Sequence, residues 1–187
     1  LGKFYVAKVY LSFFKDTRQQ AAEVFGSKKH RCDINADELK EAYQFSRIIN
    51  HHQGFSLIKN VSDKHKWNVR LSNIAQIWTE GCIIKSDLMK EIARTLTNDT
   101  PLLFTKPWAS QLKASHAAIQ KVVTSCIASE LHTPCLMEAL NYFHGVKIAD
   151  SSANIIQAQR DYFGAHTYER KDDSSGKKYH SDWTSEV

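Results

Sequence analysis

Apolar residues recur at steps of three and four through most of this chain, and no sustained apolar/polar alternation marks the strands of a parallel sheet. Phe4, Ala7, Leu11, Phe14, Arg18, Ala21 and Phe25 follow that helical step and predict a helix over 3–25, stopped by Gly26. Tyr5, Val6, Val9, Tyr10 and Phe13 make its first half apolar nearly all round, the pattern of a helix covered both by its own domain and by a partner. Lys28-Lys29-His30-Arg31 reads as a solvated basic connection. Asn35 followed by Glu38 is a capping box, each side chain satisfying a free backbone donor at a helix start. Leu39, Tyr43, Ser46, Ile49, Gln53 and Ser56 or Leu57 then mark one face of that helix, to about Asn60.

Further on, 71–78 is expected as a short helix closed by Gly81, and Ser86 as the cap of a helix over 87–96, with Trp78, Ile83 and Ile84 filling core. Asn98-Asp99-Thr100-Pro101 is a turn cluster. Pro107 opens the next helix, whose stripe is Trp108, Leu112, Ser115, Ile119, Val122 and Cys126. Thr133 and Pro134 start another that ends near Gly145. Ile155, Ile156, Ala158, Tyr162 and Phe163 suit a short amphipathic helix that Gly164 would end by taking the left-handed conformation. That stop puts Arg160 in the last turn, where its charge suits the helix dipole, and His166 in the connection beyond. Residues 167–170 and 178–180 flank the turn-rich 172–176, which leaves a small hairpin and a mobile tail as equal expectations. The fold class is all-α, with a helical domain over 1–166 and a tail over 167–187.

Composition narrows the picture. At 187 residues and 42% hydrophobic content the chain can bury one sizeable core. No apolar run approaches the ~20 residues of a membrane span, and Leu1-Gly2-Lys3 starts no signal peptide, so a cytoplasmic protein is expected; without a Met, the N-terminus looks cut. The net charge of +5 would attract a polyanion or a small phosphorylated substrate. Because the cations are scattered among 20 acidic residues and no nucleic-acid-binding motif occurs, the small anion is the better fit. Cys32, Cys82, Cys126 and Cys135 lack any C-x-x-C spacing and read as reduced, buried packing residues. His51 and His52 are adjacent and cannot share a helix face, so they are expected to pack or bridge polar groups instead of holding a metal.

An Arg fork and an imidazole placed like Arg160 and His166 can converge on one anion, although each residue alone is a common structural feature. The whole run Q-A-Q-R-D-Y-F-G-A-H-T-Y, from Gln157 to Tyr168, is more particular than helix propensity requires. It resembles the signature near the C-terminus of 6-phosphogluconate dehydrogenases. Ile77-Trp78-Thr79-Glu80-Gly81-Cys82-Ile83-Ile84-Lys85-Ser86 is similar to that family's I-W-R-x-G-C-I-I-R-S, and Leu11-Ser12-Phe13-Phe14-Lys15-Asp16-Thr17-Arg18 to its L-S-x-x-K-D-x-R. Three runs in the family's order, from Leu11 to Tyr168, span most of the chain.

The resemblance implies a late portion of an enzyme that oxidatively decarboxylates 6-phosphogluconate to ribulose 5-phosphate and CO2 with NADP. The family's Rossmann domain, its Lys base and its Glu acid precede the matching region, so no catalytic residue is expected in this chain; NADP is expected to bind mainly on that N-terminal domain, and the resemblance assigns no cofactor-binding residue here. Arg160 and His166 match the positions that reach from one subunit into the other's site to bind substrate, which implies a homodimer. The chain also departs from the family. Val9 stands where an Arg is usual, with Lys8 one residue and about 100° of helix away. Thr79, Glu80 and Lys85 replace common family residues, and Asp150-Ser151 replaces a Leu-Pro. An active enzyme portion and a non-catalytic helical interaction module derived from it both remain open on these residues, Arg160 and His166 favouring the first and Val9 the second.

Overall fold

A computed structural model describes residues 13–26, 31–97 and 100–183. Its helices are α1 (Lys15–Phe25), α2 (Ala36–His65), α3 (Leu71–Ile77), α4 (Asp87–Thr95), α5 (Lys106–Ala128), α6 (Pro134–Lys147) and α7 (Ala153–Gly164), with a 3-10 turn at Leu102–Phe104. No strand occurs among the described residues, so the fold is all-helical as the periodicity predicts; the expected hairpin reduces to one antiparallel bridge, Tyr168 to Tyr179. The chain falls into two compact units, Leu1–Phe143 and His144–Val187.

The first unit is built on the 30-residue helix α2. Its start is the expected capping box: Asn35 Oδ1 accepts from the Glu38 N–H at 2.9 Å, and Glu38 Oε2 accepts from the Asn35 N–H at 3.0 Å. At the other end Lys66 turns left-handed and stops the helix. Helix α5 packs along α2, and the core joins Phe45, Ile48, Ile49 and Phe55 of α2 to Trp108, Leu112, Ile119 and Val122 of α5, with Met89 and Ile92 from α4. Burying each such side chain favours folding by about 1.5–3 kcal/mol relative to leaving it in water. The Trp108 indole N–H is satisfied by Thr95 Oγ1 at 2.8 Å. Helix α4 is capped by Ser86, whose hydroxyl accepts from the Met89 N–H and from Arg47 Nη2 of α2 at 2.8 Å.

Every residue of the expected α5 stripe is buried. On α2 the expected face holds at Ser46 and Ile49, which are buried together with Ala42, Phe45, Ile48, His52 and Phe55, whereas Leu39, Tyr43 and Leu57 are exposed. The helix carries apolar residues on more than one side, so its three-and-four step alone does not pick the covered one. Trp78 packs against the core, but Ile83 is fully exposed and Ile84 partly so, contrary to expectation. They lie in the turn between Gly81 (φ 61°) and Ser86, where no helical period directs them inward. Among the cysteines only Cys126 is buried; its Sγ lies 3.9 Å from that of half-buried Cys32, and all four thiols are free.

Helix α1 ends at Gly26 (φ 81°) as expected, yet none of its residues is buried and Phe25 is largely exposed. The apolar first half of the predicted 3–25 helix, with Lys8 and Val9, lies outside the described residues, as does most of the 28–31 basic segment. His52 is a polar bridge, its Nε2 lying 3.2 Å from the Tyr142 hydroxyl and its Nδ1 3.4 Å from Ser56 Oγ. Burial pushes its imidazole below the usual histidine range, and likewise that of His51, whose Nδ1 lies 2.6 Å from the Arg47 carbonyl. No described helix is long and apolar enough to cross a membrane.

Candidate anion site in the C-terminal unit

Helix α7 begins after Ser151-Ser152, with the Ala153 N–H on Ser151 Oγ at 3.3 Å. It stops differently from the sequence expectation. Gly164 is the last helical residue, and the left-handed residue is Ala165 (φ 49°, ψ 40°), whose N–H donates to the Asp161 carbonyl at 2.9 Å. Arg160 accordingly lies just before the last turn, not within it.

The organising group of this unit is Asp161, which sequence reasoning passed over. Its carboxylate is wholly inaccessible and receives four donors. Oδ1 accepts from the Thr167 N–H at 2.8 Å and from His180 Nδ1 at 3.0 Å. Oδ2 accepts from the Ser181 N–H and from the Trp183 indole N–H, both at 3.0 Å. Burial by itself would raise the pKa of this carboxyl, but the bonds from Ser181, His180, Trp183 and Thr167 outweigh it and hold the group far below the usual carboxylate range. The tail is therefore pinned to the helix. Tyr168 and Tyr179 exchange backbone bonds at 2.8 Å, and Tyr168 Oη lies 2.6 Å from Ser181 Oγ. Arg170 forks onto Asp172 and lies over the Tyr179 ring, its Nε 2.8 Å from Oδ1. Asp150, at the position where Leu-Pro was expected, pairs with Lys171.

Arg160 and His166 are both exposed. The His166 ring lies against Gly164: a Cβ built on that glycine would stand 2.9 Å from ring Cδ2 and Nε2. The Phe163 ring meets it edge-on with centroids 5.9 Å apart. Residues four apart share a helix face, about 5–6 Å between Cβ atoms. Arg160 and Gly164 are four apart and so lie on one face of α7, and the His166 ring covers the Gly164 end of that face. A guanidinium and an imidazole on one open face can take the oxygens of a single phosphate or carboxylate.

Residues 5–183 match the family model described as the 6-phosphogluconate dehydrogenase C-terminal domain, and the chain belongs to that family. It is 36% identical over 183 residues to a decarboxylating 6-phosphogluconate dehydrogenase of Chlamydia trachomatis, covering 93% of this chain and 38% of that protein. With the one from Staphylococcus aureus strain N315 it shares 33% identity over 184 residues, covering 95% and 39%. The solved Plasmodium falciparum 6-phosphogluconate dehydrogenase, studied apo, with its cofactor NADP+ and with its substrate 6-phosphogluconate, superposes with a TM-score of 0.84 at 31% identity over 93% of this chain and 39% of that one. The chain thus spans about two fifths of the length of these relatives.

Proposed function

We propose that this chain is the substrate-completing and dimer-forming C-terminal portion of an enzyme that oxidatively decarboxylates 6-phosphogluconate to ribulose 5-phosphate and CO2 in the pentose phosphate pathway of the cytoplasm. The supporting observation is that exposed Arg160 stands four residues before Gly164 on α7, and that the exposed His166 ring lies against Gly164. Arg160 takes the substrate phosphate through its planar fork, and His166 adds a bond to a nearby oxygen. Neither touches the reacting carbon, so both are binding residues. An exposed Arg in water holds phosphate weakly; it binds well only where a second surface excludes solvent. The second subunit of a homodimer supplies that surface, so each site is completed in trans.

NADP is the hydride acceptor of this chemistry. The helical residues described here offer no parallel sheet, and the chain carries no G-x-G-x-x-G, so no step through the nucleotide is assigned to it. The competing reading, a non-catalytic interaction module, draws on Val9 at the position of a family Arg.

In the assembled enzyme, Arg160→Ala or Arg160→Lys should weaken 6-phosphogluconate binding about ten- to a hundredfold, the worth of a charge-assisted contact of roughly 1.5–3 kcal/mol, and leave NADP binding unchanged. Mixed dimers test the trans arrangement. When a subunit altered at Arg160 is paired with one lacking only its catalytic base, one site carries both defects and the other neither. About one intact site should survive; complete loss of activity in a verified heterodimer would overturn the reading.

A further inference from the structure

His166 sits in an uncommon piece of backbone. Both its neighbours are left-handed without being glycine, Ala165 at φ 49° and Thr167 at φ 58°. For a β-branched residue that is a true outlier, and such strain persists only where the surroundings over-determine it. Both backbone groups of Thr167 are held: its N–H by buried Asp161 at 2.8 Å, its carbonyl by Gln157 Nε2 at 2.5 Å. The result of this elbow is that the imidazole lies directly on Gly164.

Gly164 itself is an ordinary helical residue, absent from the positive-φ glycines, so backbone conformation does not call for glycine there. Helix propensity disfavours it. What the missing side chain supplies is room, since a Cβ would stand 2.9 Å from two ring atoms.

We infer that Gly164 is a positioning residue of the anion site: its bare Cα is the seat onto which the strained Ala165-His166-Thr167 elbow lays the imidazole, fixing the ring's place on the face shared with Arg160. This rests on the reading that His166 contacts the substrate. Because the atoms in the way are the far end of a side chain, Gly164→Ala moves the ring and leaves the helix intact.

The test uses the full-length dehydrogenase that contains this chain, as Gly164→Ala, His166→Ala and the double variant. Gly164→Ala should raise KM for 6-phosphogluconate about tenfold, as His166→Ala does, with KM for NADP unchanged and the thermal midpoint equal or higher because Ala is the better helix former. The double variant should be no worse than His166→Ala alone, since Gly164 acts only through the ring. If His166→Ala weakens binding while Gly164→Ala does not, or if the two penalties add in full, the seat has no such role. If His166→Ala is silent, the substrate-contact reading falls and this inference with it. The His166 imidazole NMR signal gives a readout independent of turnover: it should shift in Gly164→Ala, and an unmoved signal would overturn the inference.

Discussion

His52 offers a prediction whose size follows from the structure. The imidazole is buried in α2 between Ser56 and the Tyr142 hydroxyl, with neutral partners at both ring nitrogens. Burial lowers its pKa below 6.5 and raises that of Tyr142, so both groups are neutral when folded at pH 7. The nearest fixed cation on the same helix, Arg47, is turned to Ser86 and Tyr43; His51, one residue before, is held neutral by burial as well. A histidine whose folded pKa is depressed contributes stability that is complete above the unfolded pKa and is lost as pH falls. If the folded ring stays neutral throughout, lowering pH from 7 to 5.5 costs at most about 1.3 kcal/mol for this one group, since the unfolded imidazole takes up nearly one proton. The perturbation is His52→Gln, which cannot titrate. At pH 8 the variant should be less stable by about 1 kcal/mol for a lost buried hydrogen bond. Toward pH 5.5 the gap should close, because only the wild type loses the His52 contribution. Urea unfolding at fixed temperature across that range measures both curves. A gap that stays constant or widens as pH falls would refute the argument.

Asp161→Asn can offer an acceptor to only one oxygen position, so either Thr167 and His180 or Ser181 and Trp183 face an amide NH2. Faster proteolysis or hydrogen exchange within 167–183 is the expected result, and unchanged protection would contradict it. Trp108→Phe should cost about 1–2 kcal/mol by urea unfolding, because Thr95 Oγ1 keeps its own bond to the Glu91 carbonyl, whereas Trp108→Ala should cost about 3–5 kcal/mol. Equal losses would mean that the ring volume plays little part. The 187-residue chain alone should reduce no NADP with 6-phosphogluconate in a spectrophotometric assay; turnover by the pure chain would refute the assignment of the chemistry elsewhere. It should also sediment as a dimer or larger at micromolar concentration, given the exposed Phe25, Tyr43 and Ile83, and a clean monomer would count against the interface.

The features legible in the sequence were those set by local chemistry. Helix α5 buries one face, so its three-and-four step could be read residue by residue, and the Asn35/Glu38 cap needs only neighbours three apart. Helix α2 misled in part because Leu39, Tyr43 and Leu57 follow the same step as the buried Ser46 and Ile49, and nothing local says that Phe45, Ile48 and Phe55 are covered instead. Arg160 and His166 were singled out from a motif, but Asp161, which holds the tail to α7, was not. Asp161 gains its meaning from His180, Ser181 and Trp183, some twenty residues further on, and no periodicity links them. Gly164 was misread for a similar reason. A glycine at a helix end suggests a left-handed stop, whereas here it makes space for a ring two residues later.

The clasp at Asp161 also bears on how the gene encoding this chain can change. Three of the four donors come from the stretch 180–183, so a stop codon or frameshift placed just before it would strip a buried negative charge of most of its partners at once. That loss would reach back through Thr167 to the elbow that carries His166, and a stop at residue 179 should behave like a lesion at His166 itself.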